Sequence, residues 1–132
     1  MLFSGARKIL LFLSGELTMN TYAQVHTHRT NLLIHLIAVP LFIAAHFGLI
    51  FWIVQQKPLL ALMWIGLIVV SLGMQRQGHS LEPRKPAPFR NGLDFVIRLY
   101  IEQFYTFPQF VLSGKFRENW LAAAFQDEQK RR

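Results

Sequence analysis

The sequence has no cysteine, which excludes a disulfide framework, thiolate metal ligands and a cysteine nucleophile. Charge is also scarce: Asp, Glu, Lys and Arg make up 16% of the 132 residues, against about a quarter in an ordinary soluble domain. That deficit argues against a water-soluble domain, and the 52% of hydrophobic residues argues against disorder. Acidic residues are the scarcest charged class, 7 against 14 basic ones, for a net charge of +7. The basic residues lie at the margins of apolar runs and form no stripe interleaved with aromatics, so they are not the footprint of a nucleic-acid binder. No internal repeat or low-complexity segment is present, and the proline-rich stretch 82–88 reads as a loop.

What is there is bunched. Between Leu32 and Val54, 19 of 23 positions are apolar, and between Leu59 and Met74, 13 of 16 are. The first run would rise about 34 Å as a helix and can cross a hydrocarbon core of about 30 Å. The second would rise about 24 Å and must recruit flanking residues to span. Gln55-Gln56-Lys57-Pro58 is a short polar turn, with Pro58 suited to the first position of the next helix. The expected fold is an all-α membrane protein: an antiparallel transmembrane hairpin of residues 32–54 and 59–77 with flanking amphipathic, interfacial helices. Arg7, Lys8 and Arg29 precede the hairpin, Lys57 alone sits in its turn, and Arg76, Arg84, Lys85 and Arg90 follow it. The positive-inside rule then makes this a multi-pass protein with both termini cytoplasmic.

The flanks complete a single membrane domain over 1–132. Residues 1–18 carry a five-residue apolar run, too short for a signal-peptide core, and read as an upstream extension, with Met19 a candidate start. Thr21-x-x-Gln24 has the capping-box pattern and predicts a short helix beginning there. Leu93–Leu112 mixes apolar clusters with Asp94, Arg98, Glu102 and Gln103, which suits an amphipathic helix at the interface. Ser113-Gly114 ends it, Arg117–Phe125 predicts a short last helix, and 126–132 reads as a frayed charged tail.

Five histidines stand out in so apolar a chain: His26, His28, His35, His46 and His79. His35 and His46 fall inside the long run, where an ionisable side chain is expensive and marks a functional path or an internally paired group. On one helix, His28, Asn31, His35 and His46 form a stripe, and His26 converges with His35 only if the chain bends between them. Thr27, Thr30 and Asn31 are candidate caps for such a break. The hairpin returns His79 and Glu82 to the level of residues 26–35, where three imidazoles and a carboxylate can meet. Imidazole and carboxylate without thiolate suit Fe(II), Zn(II) or Mn(II). Imidazoles that hydrogen-bond backbone or lipid would give the same spacing, and haem would need a deep histidine on the second run, which has none. Arg76, Arg84 or Lys85 could attract an anionic head group or anchor the membrane surface; His28 and His46 have no assigned role.

Tyr22-x3-His26-x4-Asn31-x3-His35 with Pro40, followed by Gly78-His79, Glu82 and Pro86-Ala87, resembles the membrane 2-hydroxy fatty acid dioxygenase family, long catalogued as a domain of unknown function, over residues 20–120. The run from Glu102-Gln103-Phe104 to Ser113-Gly114 is similar to its bacterial branch. The resemblance implies Fe(II)-dependent α-oxidation with O2, which shortens a 2-hydroxy fatty acid by one carbon in a bacterial inner (cytoplasmic) membrane. It implies His26, His35 and His79 as metal ligands, with zinc or another divalent ion fitting the same donors. It makes Asn31 an orienting group and Glu82 the acid after Gly-His, here three residues on where four is common. The competing expectation is a non-catalytic membrane protein for assembly or lipid binding, its histidines structural.

Overall fold

The computed structural model describes residues 15–132, with side chains from Met19 onward; the expectations for residues 1–14 lie outside the described residues. All regular structure among the described residues is helical: α1 (Gly15–Gln24), α2 (Arg29–Val54), α3 (Pro58–Ser80), α4 (Gly92–Ile101), a π-helical turn (Glu102–Thr106), α5 (Phe107–Leu112) and α6 (Lys115–Arg131). They fall into two compact units, His28–Pro88 and the described residues up to Thr27 together with Phe89–Arg132.

The first unit is α2 and α3. Helix α2 starts on His28, whose Nδ1 accepts the Thr30 N–H at 3.2 Å, so this histidine is the cap in place of Thr27, Thr30 or Asn31, and it stands outside the helical stripe. Helix α3 starts with Pro58 in its first turn, as its missing N–H allows. It recruits Gln75–Ser80 beyond the apolar run. Its 23 residues rise about 34 Å, and the 26 of α2 about 39 Å. Both helices are long and apolar enough to cross a membrane. Ile37, Phe47, Val54, Leu59, Met63 and Val69 are all more than half exposed, so the apolar surface points outward as well as inward.

Small and polar residues bring the two helices together. Gly48 receives the Trp64 indole so closely that a Cβ there would collide with the ring. Ser71, buried, donates to the Ala38 carbonyl at 2.7 Å and accepts from Gln75 Nε2 at 3.2 Å. Asn31 lies against Gly78, and Glu82 receives the His28 N–H. Along these contacts residue numbers rise on α2 as they fall on α3. Pro40 removes one rung from the α2 ladder, while Ala38, Val39, Phe42 and Ala45 beside it are buried.

In the second unit, α1 runs from Gly15, so Thr21 sits inside the helix and not at its start. The expected single helix over 93–112 is three pieces. Asn91 caps α4 by accepting the Asp94 N–H at 2.9 Å, and Asp94 accepts the N–H of Arg90, the residue before the cap. The ladder then widens: Phe107 N–H donates to Glu102 O, five residues back. Pro108 has no N–H for the α-helical bond to Phe104 O, which favours such a change of register. Gly114, at φ 86°, takes the left-handed conformation that lets α6 begin in a new direction. Helix α6 continues to Arg131, beyond the expected end at Phe125; Lys130 and Arg131 in its last turn interact favourably with the helix dipole.

Glu102, at the head of the π turn, is pushed up to about 7 by burial, with the Arg98 charge opposing the rise. Its folded pKa lies above the ordinary 4.5, so the stability that its neutral form confers is present below 4.5 and is lost as pH rises through about 7. Glu102→Gln should therefore melt with the parent below pH 4.5 and be more stable above pH 7, by about 3 kcal/mol. Thermal melts in detergent across that range check this; a constant offset at all pH would contradict it.

Candidate metal centre

Site geometry in the His28–Pro88 unit begins with Glu82, 2% exposed. Its Oε1 accepts the His28 N–H at 2.9 Å and an Asn31 Nδ2 hydrogen at 2.7 Å. A buried carboxylate needs such donors, and these two fix the start of α2 against the end of α3. Asn31, fully buried, has its Oδ1 against Gly78, where any side chain would collide with it. The Asn31 carbonyl accepts from His35 Nδ1 at 3.0 Å, which makes Nδ1 the protonated nitrogen and leaves Nε2 of the neutral ring with its lone pair. His79 comes from the last turn of α3, its ring centroid 4.8 Å from that of His35 and nearly perpendicular to it. Lys85 reaches back to donate to the His79 and Ser80 carbonyls, satisfying the C-terminal end of α3.

His26 follows α1 in the other unit and is 1% exposed. Its Nδ1 donates to the Tyr22 carbonyl at 2.7 Å, and its ring stacks on the Tyr22 ring at 3.8 Å. Burial, reinforced by Glu102, holds the Tyr22 phenol well above its ordinary pKa, so it stands protonated beside the imidazole. Phe110 closes on the pair, edge-on to Tyr22 at 5.3 Å. Asn119 of α6 donates to both the Ala23 and His26 carbonyls, at 2.9 and 2.8 Å, and so fixes the backbone that carries the ring.

His26, His35 and His79 make a group of three imidazoles that could hold a metal ion. The donor chemistry fits a divalent transition metal: three imidazoles, two of them with Nδ1 already engaged by a helical carbonyl so that Nε2 is the ligand atom. A model of the family described as 2-hydroxy-palmitic acid dioxygenase Mpo1-like matches residues 12–107. The chain belongs to the Mpo1-like family. No curated protein and no solved structure matches it significantly.

The other expected residues of this Mpo1-like chain occupy different positions. Glu82 and Asn31 bond each other and the backbone of α2, and the three-residue group contains neither. His28 serves as a helix cap. His46 donates to the Phe42 carbonyl at 2.8 Å, eleven residues beyond His35 and about 16 Å along the helix. Arg76 and Arg84 are exposed. Sequence reasoning missed Asn119, the capping by Lys85, and the buried polar residues of the π turn, Gln103 and Thr106; nothing in their local pattern distinguishes them from surface polar residues.

Gly78→Ala tests how far the ligands depend on the Glu82–Asn31 bond. Its methyl displaces the Asn31 amide and with it the carbonyl that orients His35, so metal affinity should fall about 10-fold or more. Gly73→Ala, where a Cβ meets nothing within 4 Å, should leave it unchanged. Titration of both variants with Fe(II) and Zn(II), with bound metal counted by mass spectrometry, distinguishes these outcomes; equal affinity in the two would sink the argument.

Proposed function

We propose that the protein is an Fe(II)-dependent membrane dioxygenase that carries out α-oxidation of 2-hydroxy fatty acids, shortening them by one carbon with O2. The observation that carries this reading is the group of three histidines in a chain of the Mpo1-like family. The reaction closes without a further reductant: a 2-hydroxy acid and O2 give the acid one carbon shorter, CO2 and water, and the substrate supplies the four electrons that O2 accepts. His26, His35 and His79 would hold Fe(II), which would supply the redox chemistry with O2.

The remaining tasks fall to the chain itself. The helical carbonyls of Tyr22 and Asn31 hold the His26 and His35 rings in one tautomer. Glu82 and Asn31 set the position of His35 without acting as ligands. Arg76 and Arg84, exposed near the end of α3 and the loop after it, attract the substrate carboxylate at the membrane surface. We read α2 and α3 as an antiparallel transmembrane hairpin in a bacterial inner membrane, with the Lys57 turn outside and both termini cytoplasmic. The outward apolar residues of both helices then face lipid, and the acyl tail of the substrate stays among the lipid chains while its head group reaches the histidines.

The test is direct. Anaerobically purified protein should carry iron and convert 2-hydroxypalmitic acid under O2 to the acid one carbon shorter, with one O2 consumed per product. His35→Ala and His79→Ala should lose both the iron and the product. Protein that binds no iron and consumes no substrate would instead favour a non-catalytic lipid-binding or assembly role, and stoichiometric zinc with no turnover would replace the iron assignment.

A further inference from the structure

The π turn and the start of α5 carry polar atoms that the histidine site does not use. Thr106 is 1% exposed, and its Oγ1 is buried with no hydrogen-bond partner among the described residues. Gln109 Oε1 is buried and equally without one. A helical threonine ordinarily bonds the carbonyl four residues back; here that carbonyl, Glu102 O, accepts the Phe107 N–H of the widened turn. Buried polar atoms left unbonded are costly and call for an explanation, and π turns recur at functional sites.

Position supplies the explanation. Residues 106 and 109 are three apart, so they share a face. Phe110, one turn beyond Thr106 and fully buried, packs its edge on Tyr22, which stacks on His26. The two orphan atoms therefore belong to the segment that packs against a candidate metal ligand within its own unit. Together they offer a hydroxyl that can donate and an amide oxygen that accepts. An alcohol, both acceptor and donor on one oxygen, satisfies the pair.

We propose that Thr106 and Gln109 bind the 2-hydroxyl of the fatty acid: Thr106 Oγ1–H donates to the hydroxyl oxygen, and the hydroxyl donates to Gln109 Oε1. This rests on the substrate class proposed above and adds the residues that distinguish a 2-hydroxy acid from a plain one. Because neither atom has a partner among the described residues, removing the Thr106 hydroxyl should not lower the stability of the ligand-free chain.

Binding of 2-hydroxypalmitic acid and of palmitic acid to the full chain in lipid nanodiscs, measured calorimetrically beside thermal melts, tests the assignment. The parent should prefer the 2-hydroxy acid. Thr106→Val should bind it about tenfold more weakly, the equivalent of one hydrogen bond, bind palmitic acid as the parent does, retain its metal, and melt at or above the parent temperature. Thr106→Ser should restore the preference, and Gln109→Leu should reduce it. If Thr106→Val keeps the parent preference, or loses both acids equally, the assignment is overturned while the functional reading survives. A parent that binds neither acid overturns the substrate class and this assignment with it.

Discussion

A buried carboxylate is tolerable only where donors replace the water it has lost, and Glu82 finds two on the first turn of α2. The bond to Asn31 and the bond to the His28 backbone join the loop after α3 to the segment before α2 across 54 residues of chain. Everything local to the His35–His79 pair follows from that junction. Asn31 is held where its carbonyl meets His35. Gly78 must lack a side chain because Asn31 occupies the space, and His79, the next residue, is thereby brought to the His35 ring. The sequence Gly-His-x-x-Glu is thus one mechanical unit: the glycine admits Asn31, the glutamate binds it, and the histidine between them faces its partner.

Helices apolar enough to cross a membrane, as α2 and α3 are, would draw little attraction from hydrophobic burial in lipid, because lipid chains are as apolar as the side chains. What joins α2 and α3 is consistent with that limit. Trp64 packs over Gly48, and Ser71 bonds the Ala38 carbonyl while holding Gln75. The outward faces keep leucine, isoleucine, valine and phenylalanine. Where an apolar run carries a polar group that bonds across, as Ser71 does, the partner helix supplies the acceptor.

The helices and the histidines were legible from the sequence, for different reasons. Runs such as Leu32–Val54 are visible because composition alone sets their length and solvent. His26, His35 and His79 were legible because imidazoles are costly among apolar residues, and the resemblance named the same three. The cap at His28 was not, since a histidine accepting a backbone N–H has no pattern of its own. Glu82 was legible as an acid near the histidines; its two donors appear only once residues 28 and 31 are brought beside it. The π turn was hidden for another reason. Pro108 announces an interruption, and sequence does not say whether a helix answers a proline by ending, kinking or widening.

Tautomer alone does not select a ligand, as His46 shows. It bonds Phe42 O through Nδ1, the same i−4 arrangement that holds His26 on Tyr22 and His35 on Asn31. All three rings thus have Nδ1 engaged by the carbonyl four residues back and Nε2 turned away from it, so the backbone prepares more imidazoles than the site uses. What separates them is where the next donor stands. His35 meets His79 because Gly78 and Glu82 draw the end of α3 against the first turns of α2, whereas the residues of α3 level with His46 are apolar ones near Trp64. A helical histidine becomes a candidate ligand when a second element is fixed against its own turn, and in this chain the carboxylate of Glu82 does the fixing.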